Sequence, residues 1–297
     1  MSEAQQVFGA ETHDLDGRTL SNRELLKALL RKPQFDVCLL LVLTFFLMAA
    51  APRIFTSVDP RFCQLTNSQH GREPGHPFGF DIQGCDYFAN VIYGARPSVL
   101  VSVIASVGGF AIAAILGLLA GYFPGFVDNL ISRTADVLFS LPGLIALIVI
   151  LNSVPNRSIW IIVGVILLTW WPLGMRLMRS TVFSVRNREF VLAARSIGVP
   201  PLRILRKHVF PNAMAPLLAN TTLGIGGLIG MEAVLTFLGV GLQPPSISWG
   251  SQFGAAAAYR DSPHLFLWPA LFISTMTISF MIIGDSIRDA LDPKLLK

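Results

Sequence analysis

The side chains of this chain that could do chemistry are few, and they do not converge on a catalytic pattern. Its five histidines show no HExxH spacing, which would place two zinc ligands on one face of a helix; they are His13, His70, His76, His208 and His264. The sequence also lacks a GxxxxGK[ST] segment, the loop that surrounds nucleotide phosphates. We therefore expect no metal, no cofactor and no catalysis, and any chemical energy must come from other chains.

Four polar residues, in contrast, lie in or beside long apolar segments, where polar groups are costly and usually face a pathway or a partner helix. They are Asp136, Asn152, Glu232 and Asp285. For Asp136 and Asp285, near the segment ends, we expect a structural role. Glu232 and Asn152 are pathway candidates, and the carboxylate of Glu232 could meet the ammonium group of a solute. The alternative, hydrogen bonding to a neighbouring helix, stays open for each.

The apolar segments themselves determine the fold class. Of the 297 residues, 53% are hydrophobic and 14% charged, which leaves too little polar surface to cover a soluble globule. Six apolar runs of about 20 residues are each long enough to cross a bilayer as a helix. We predict an all-α polytopic membrane protein with six transmembrane helices at about 37–55, 99–122, 135–150, 159–175, 214–238 and 265–284.

The N-terminal 36 residues form a separate polar segment. They precede the first apolar run, which has no small-residue cleavage site after it, so we expect a retained span and not a signal peptide. Within the segment, residues 21–32 combine a capping box, Ser21 with Glu24, and a leucine stripe opposite basic residues. This pattern predicts an amphipathic helix on the membrane surface, or an ordinary juxtamembrane helix. Residues 37–297 then form the transmembrane domain.

The basic residues predict the orientation. With both termini in the cytoplasm, 17 of the 23 Lys and Arg residues fall on the inner side, as the positive-inside rule requires. The outer side has six: Arg53, Arg61, Arg72, Arg96, Arg157 and Arg260. This topology places loops 56–97 and 239–264 outside and loop 176–211 inside. We call the last of these the basic loop.

The three cysteines divide between the first span and the first outer loop. Cys38 lies in the span, whereas Cys63 and Cys85 share the loop, which would face an oxidising compartment. We expect a disulfide between Cys63 and Cys85 that braces the loop, with two free thiols as the alternative.

The basic loop carries eight basic residues and one acid, Glu189. Helix-forming residues run from Glu189 to Ile197, and Gly198 can end this helix in the left-handed conformation. The pair Pro200–Pro201 begins a second helix that continues to Phe210, and Pro211 marks the start of the fifth span. Such a stiff projection could transmit force to a soluble partner. An Arg-rich amphipathic loop lying on lipid headgroups is the alternative.

This loop resembles the EAA loop of ABC importer permeases, whose short coupling helix binds in a cleft of an ATPase subunit. Ala193, Ala194, Gly198 and Pro211 occupy motif positions, but Leu192 stands where the name-giving glutamate would be. An ion pair from Glu189 or an apolar contact through Leu192 could replace it. The resemblance implies that ATPase coupling involves Glu189, Leu192, Ala193, Ala194, Arg195, Gly198, Val199, Pro200 and Arg203.

Three further segments, 76–102, 239–250 and 284–293, resemble the second permease subunit of the dipeptide, oligopeptide and nickel permease family. The resemblance implies a type I ABC importer permease fold in the cell membrane. It also implies a homologous second permease, two ATPase subunits, an extracytoplasmic binding protein and membrane lipid as partners, with no nucleic acid. Peptides are the expected cargo, although nickel or another solute stays open.

A self-contained secondary transporter is the rival from another class. It would carry an ion-coupling site in broken helices and usually an inverted repeat. The sequence shows neither, so we expect a dependent subunit.

The topology yields a first prediction. A thiol reagent that does not cross membranes should label a cysteine introduced at Ser246 from outside, but not one at Ser196, because the basic-residue count places these positions on opposite sides. Labelling of intact cells, followed by labelling after permeabilisation, is the measurement. Reversed sidedness would contradict the orientation.

Overall fold

A computed structural model describes residues 29–257, 259 and 261–291, and the regular structure in these ranges is helical apart from isolated β-bridges in the first outer loop. The amphipathic helix predicted for residues 21–32 lies outside the described residues except at its C-terminal end. The helices are α1 (Pro33–Ala50), α2 (Tyr87–Tyr122), α3 (Phe126–Ser140), α4 (Gly143–Asn152), α5 (Ile159–Val185), α6 (Glu189–Ser196), α7 (Pro201–Ile204), α8 (Phe210–Phe237), α9 (Trp249–Ala256) and α10 (Pro263–Leu291).

Five helices are long and apolar enough to cross a membrane: α1, α2, α5, α10 and a continuous helix over Pro201–Phe237 that contains α7 and α8. The pair α3 and α4 adds a sixth crossing if it is counted as one span, but the two helices are bent by 82°. We expected one helix over 135–150 here. The break falls at Leu141–Pro142, because a residue before proline avoids the helical conformation and proline has no N–H to donate.

Two spans extend beyond their predicted ends. Helix α2 begins at Tyr87 and not near Val99, because the Asp86 Oδ1 caps it by accepting a hydrogen bond from the Ala89 N–H at 2.6 Å. Helix α10 continues past Gly284 to Leu291, so the charged residues between these two positions lie on the helix and not in a tail after it. The Lys32 ammonium contacts Asp289 at 2.8 Å, which places the start of α1 and the end of α10 at the same end of the bundle. This arrangement is expected when the chain crosses the membrane an even number of times.

Helices α2 and α5 approach closely because two glycines on α2 present no side chain. A Cβ at Gly117 would lie 2.6 Å from the Met178 Cβ, and one at Gly121 would lie 2.7 Å from the Arg179 carbonyl oxygen. Met178 is fully buried in this contact. In a bilayer the hydrophobic effect does not drive helices together, so their association depends on close van der Waals packing, which small residues allow. At Gly227 and Gly230 on α8, in contrast, a Cβ atom would meet no other part of the chain that the structure describes within 4 Å.

The first outer loop is ordered by more than its disulfide. Cys63 and Cys85 are joined, as predicted, and Asp81 gathers the same region. Its Oδ1 accepts the backbone N–H groups of Gln83 and Cys85 at 2.8 Å each, and its Oδ2 accepts the Asn90 amide at 2.9 Å. Burial raises the pKa of Asp81 above its ordinary value, against the effect of these hydrogen bonds.

The α2–α5 contact yields a second prediction. Gly117→Ala and Gly121→Ala should each lower the stability of the purified protein by about 1–3 kcal/mol, because the added methyl meets backbone or Cβ atoms that cannot rotate away. Gly164→Ala on α5 is the matched control, since outside its own turn of helix no atom of the described residues lies within 4 Å of its Cβ position. Thermal unfolding in detergent is the measurement. Equal melting temperatures for all three variants would contradict the packing argument.

Candidate functional site

The turn in the basic loop is a Schellman motif centred on Gly198. The Val199 N–H donates to the Ala194 carbonyl and the Gly198 N–H donates to the Arg195 carbonyl, each at 3.1 Å. Gly198 has a φ of 77°, a conformation that costs a residue with a Cβ atom about 1–2 kcal/mol. The predicted helix stop is therefore confirmed, and it is held by the backbone.

The second helix of the loop differs from our prediction. It does not end before Pro211: α7 leads through a π-helical turn, Leu205–Val209, directly into α8. Pro211 follows this turn, where the hydrogen-bond pattern already shifts, so its missing N–H does not end the helix. The basic loop is thus joined to the fifth span by one continuous 37-residue helix.

The surface of α6, the turn and α7 combines apolar and basic side chains. Phe190, Leu192, Ile197 and Leu202 are 41%, 45%, 81% and 74% exposed. Of the residues expected to couple to an ATPase, Ala194 is buried and Val199 half-buried, so both support the projection from within. Seven are exposed, namely Glu189, Leu192, Ala193, Arg195, Gly198, Pro200 and Arg203.

Glu189 and Leu192 are both available to a partner. Glu189 lies in the first turn of α6 and is exposed, and in the described ranges its carboxylate has no ion pair. Leu192 is exposed beside it. The geometry favours neither the ion pair nor the apolar contact.

Glu232, the stronger pathway candidate, is buried between helices. It is 1% exposed, and its Oε2 accepts the Ser98 hydroxyl of α2 at 3.0 Å. Its Oε1 accepts the Thr236 hydroxyl at 2.9 Å, and no basic side chain in the described part of the chain pairs with it. This placement favours the alternative named above, a hydrogen bond between helices.

The same two hydroxyls hold the outer segment that follows α8. The Ser98 Oγ accepts the Trp249 N–H at 3.4 Å, and the Thr236 Oγ1 accepts the Leu242 N–H at 3.2 Å. Trp249 is fully buried and donates its indole N–H to the Val91 carbonyl at 2.9 Å. We call Glu232, Ser98, Thr236, Leu242 and Trp249 the Glu232 network.

Asn152, the other pathway candidate, is exposed at the end of α4. Its Oδ1 accepts from the Arg157 guanidinium at 3.3 Å, and Arg157 also donates to the Gly239 carbonyl beyond α8 at 2.7 Å. Asp136 contacts Arg176 of α5 at 2.8 Å, which agrees with a structural role. Asp285 is exposed on α10.

Two adjoining cavities open where α1, α2 and the two outer loops meet, and sequence reasoning did not find them. The larger, about 690 Å³, is lined by Arg53, Arg61 and Arg96 together with Tyr93, Asp59 and the Pro245–Ile247 segment. We call it the arginine cavity. The smaller, about 340 Å³, shares part of this wall and reaches Asp81 and Gln252. The only sequence signal was the presence of arginines on the side where basic residues are scarce.

Sequence comparison places this geometry in a known family. Residues 113–297 match the family described as binding-protein-dependent transport system inner membrane component. The chain is 37% identical over 279 residues to the dipeptide transport system permease protein DppC of Alkalihalophilus pseudofirmus, covering 92% of this chain and 90% of that one. It is 34% identical to the oligopeptide permease OppC of Bacillus subtilis, over 88% and 86% of the two chains. The glutathione permease GsiD of Escherichia coli O157:H7 is 36% identical, over 87% and 84%.

Solved structures agree on the fold. A chain of the MetNI methionine ABC transporter in an inward-facing conformation superposes with a TM-score of 0.56 at 17% identity, covering 69% of this chain and 98% of that one. Another crystal form of that transporter gives 0.53 at 19% identity, over 68% and 95%.

The burial of Glu232 yields a third prediction. Glu232→Gln should keep uptake and lose less stability than Glu232→Ala, because the amide keeps the shape of the carboxyl group and one acceptor oxygen, although its NH2 group cannot accept the second hydroxyl. Glu232→Ala should lose about 2–4 kcal/mol of stability, since it leaves a cavity and two hydroxyls without their acceptor. Thermal unfolding and solute uptake are measured together. A Gln variant that unfolds like wild type but takes up no solute would restore the pathway role.

Proposed function

Because the chain belongs to the binding-protein-dependent transport system inner membrane component family, we propose that it forms half of the translocation pathway through which an ATP-binding-cassette importer takes up di- or oligopeptides. The identity of 34–37% to dipeptide and oligopeptide permeases over about nine-tenths of the chain carries this proposal. The chain is a multi-pass membrane permease subunit with the type I importer fold and is not an enzyme. ATP hydrolysis in such importers resides in separate subunits.

The surface formed by α6, the Gly198 turn and α7 is the proposed contact with a cytoplasmic ATPase subunit. The exposed apolar side chains are Leu192, Ile197 and Leu202. Contact of apolar surface with water is unfavourable, so such a group favours burial in the cleft of a partner. The Schellman motif makes the projection stiff. Since α7 continues into α8, movement of the ATPase would pass along one helix into the span.

The complete importer would contain this chain, a homologous permease, two ATPase subunits and an extracytoplasmic binding protein. The Lys32–Asp289 contact supports both termini on one side, and the concentration of basic residues supports the cytoplasm as that side. ATP binding would then turn the spans outward to receive cargo, and hydrolysis would return them inward.

A fourth prediction tests the function. Proteoliposomes that contain the complete complex, its binding protein and ATP should accumulate labelled alanine peptides of two to five residues, and should not accumulate labelled nickel ion. A non-hydrolysable ATP analogue is the control. Uptake of nickel without uptake of any peptide would contradict peptide transport and identify the complex as a nickel importer.

A fifth prediction tests the coupling surface through Gly198. Gly198→Val should reduce ATPase co-purification and uptake, because a β-branched residue resists a φ of 77° and the turn must change. Gly198→Asn is the matched control, since asparagine tolerates this conformation and the Cβ position is open. Co-purified ATPase, ATP hydrolysis and uptake are measured for both. Normal values for the Val variant would show that the turn does not couple the subunits.

A further inference from the structure

The arginines of the outer side are not scattered. Of the six that the topology assigns to it, Arg53, Arg61 and Arg96 line the arginine cavity. No ion pair engages any of the three within the described residues, and Asp59 is the one carboxylate in the wall. Three guanidinium groups around one concavity attract an anion, and the planar donors of a guanidinium suit a carboxylate, which can accept two parallel hydrogen bonds from one of them.

The cavity walls are held in place by the Glu232 network. Arg96 and Pro97 directly precede Ser98, which donates to Glu232. The opposite wall, Pro245–Ile247, leads into Trp249, whose N–H donates to Ser98. The cavity is therefore formed before any ligand arrives, and its volume of about 690 Å³ lies in the range of small-molecule sites.

In the adjoining cavity, the wall away from the arginine cavity carries hydrogen-bond acceptors in place of arginine donors. Gln252 is nine-tenths buried and donates its Nε2 to the Asn90 carbonyl at 2.7 Å, which fixes the orientation of the amide. Its Oε1 has no hydrogen-bond donor in the part of the chain that the structure describes. The Asp81 carboxylate lines the same cavity. The carboxylate and the amide oxygen are hydrogen-bond acceptors, and an ammonium group, with three N–H donors, has the matching chemistry.

We propose that the two cavities form one reception site for the zwitterionic ends of a peptide, with its C-terminal carboxylate among Arg53, Arg61 and Arg96 and its ammonium group towards Asp81 and Gln252. The shared wall, which includes Arg61 and Pro245, joins the two halves. The inference rests on the proposed peptide uptake. It adds where on this chain the cargo is received and which chemical groups of the cargo are recognised.

The test compares the peptide that wild type carries fastest with its C-terminal amide, in proteoliposomes with saturating binding protein. Any preference of the binding protein for acid over amide is the same for every permease variant and cancels when the ratios of rates are compared. Arg96→Gln should reduce the acid-to-amide ratio about 10-fold, the effect of losing a charge-assisted hydrogen bond. The variant that combines Arg53→Gln, Arg61→Gln and Arg96→Gln should reduce it further. Arg72→Gln, which changes an outer arginine away from both cavities, should keep the wild-type ratio.

The amino-terminal half has its own arm. Gln252→Met keeps a similar size and removes both the unpaired oxygen and the amide N–H that donates to the Asn90 carbonyl. It should reduce the preference for the free peptide over its N-acetyl form without changing the acid-to-amide ratio. Thermal unfolding of each variant complex checks that it is folded, and Arg96→Lys should recover part of the ratio in a folded protein.

Each outcome decides the inference. Unchanged ratios in the arginine variants, with normal wild-type uptake, would overturn it and leave peptide transport intact. Equal loss of acid and amide uptake, together with weaker stimulation of ATP hydrolysis by the binding protein, would also overturn it and assign the arginines to contact with that protein. Absence of peptide uptake by the wild-type complex would instead overturn the proposed function.

Discussion

A carboxyl group buried in a membrane bundle must find hydrogen-bond donors, and the half of this structure that carries loops 56–97 and 239–264 is organised around that requirement. Glu232 is satisfied by two hydroxyls, Ser98 from α2 and Thr236 from its own helix. Each hydroxyl then has lone pairs left, which accept backbone N–H groups of the outer segment at Trp249 and Leu242. One buried group therefore fixes a helix contact and a loop together, and an apolar residue could not replace it without leaving these donors unpaired.

The network also connects the two ends of the molecule. Glu232 lies near the C-terminal end of the helix Pro201–Phe237, whose N-terminal end is the projecting α7. At a rise of about 1.5 Å per residue, this helix is about 55 Å long, which exceeds the hydrocarbon thickness. In the proposed cycle, a displacement of α7 by the ATPase would move the Glu232 network with it. The cavity walls at Arg96 and Pro245 follow that network, so cargo reception and ATP binding would be linked by one rigid element.

Sequence reasoning found what local pattern determines and missed what long-range contacts determine. Hydropathy predicted the approximate spans, and the sequence pattern Gly198–Pro201 predicted the turn, because spans and turns both depend on residues that are adjacent in the chain. The break at Pro142 had a visible signal in the proline itself, which a search for continuous apolar runs ignored. The arginine cavity had only a weak signal, the presence of arginines on the side where basic residues are scarce, because Arg53, Arg61 and Arg96 come from three segments that only the folded chain brings together. Burial of Glu232 likewise depends on Ser98, 134 residues away.

The proposed reception site bears on selectivity as well as on location. Its charged and acceptor groups match the two ends of a peptide, which every linear peptide shares, and not the side chains, in which peptides differ. Contacts to shared groups lower the free energy of all peptides together and so discriminate between a peptide and another solute, but hardly between peptides. Distance between the two cavities would favour short chains whose ends reach both. The binding protein would then select peptides by their side chains, and the permease would select solutes that have a free ammonium group and a free carboxylate.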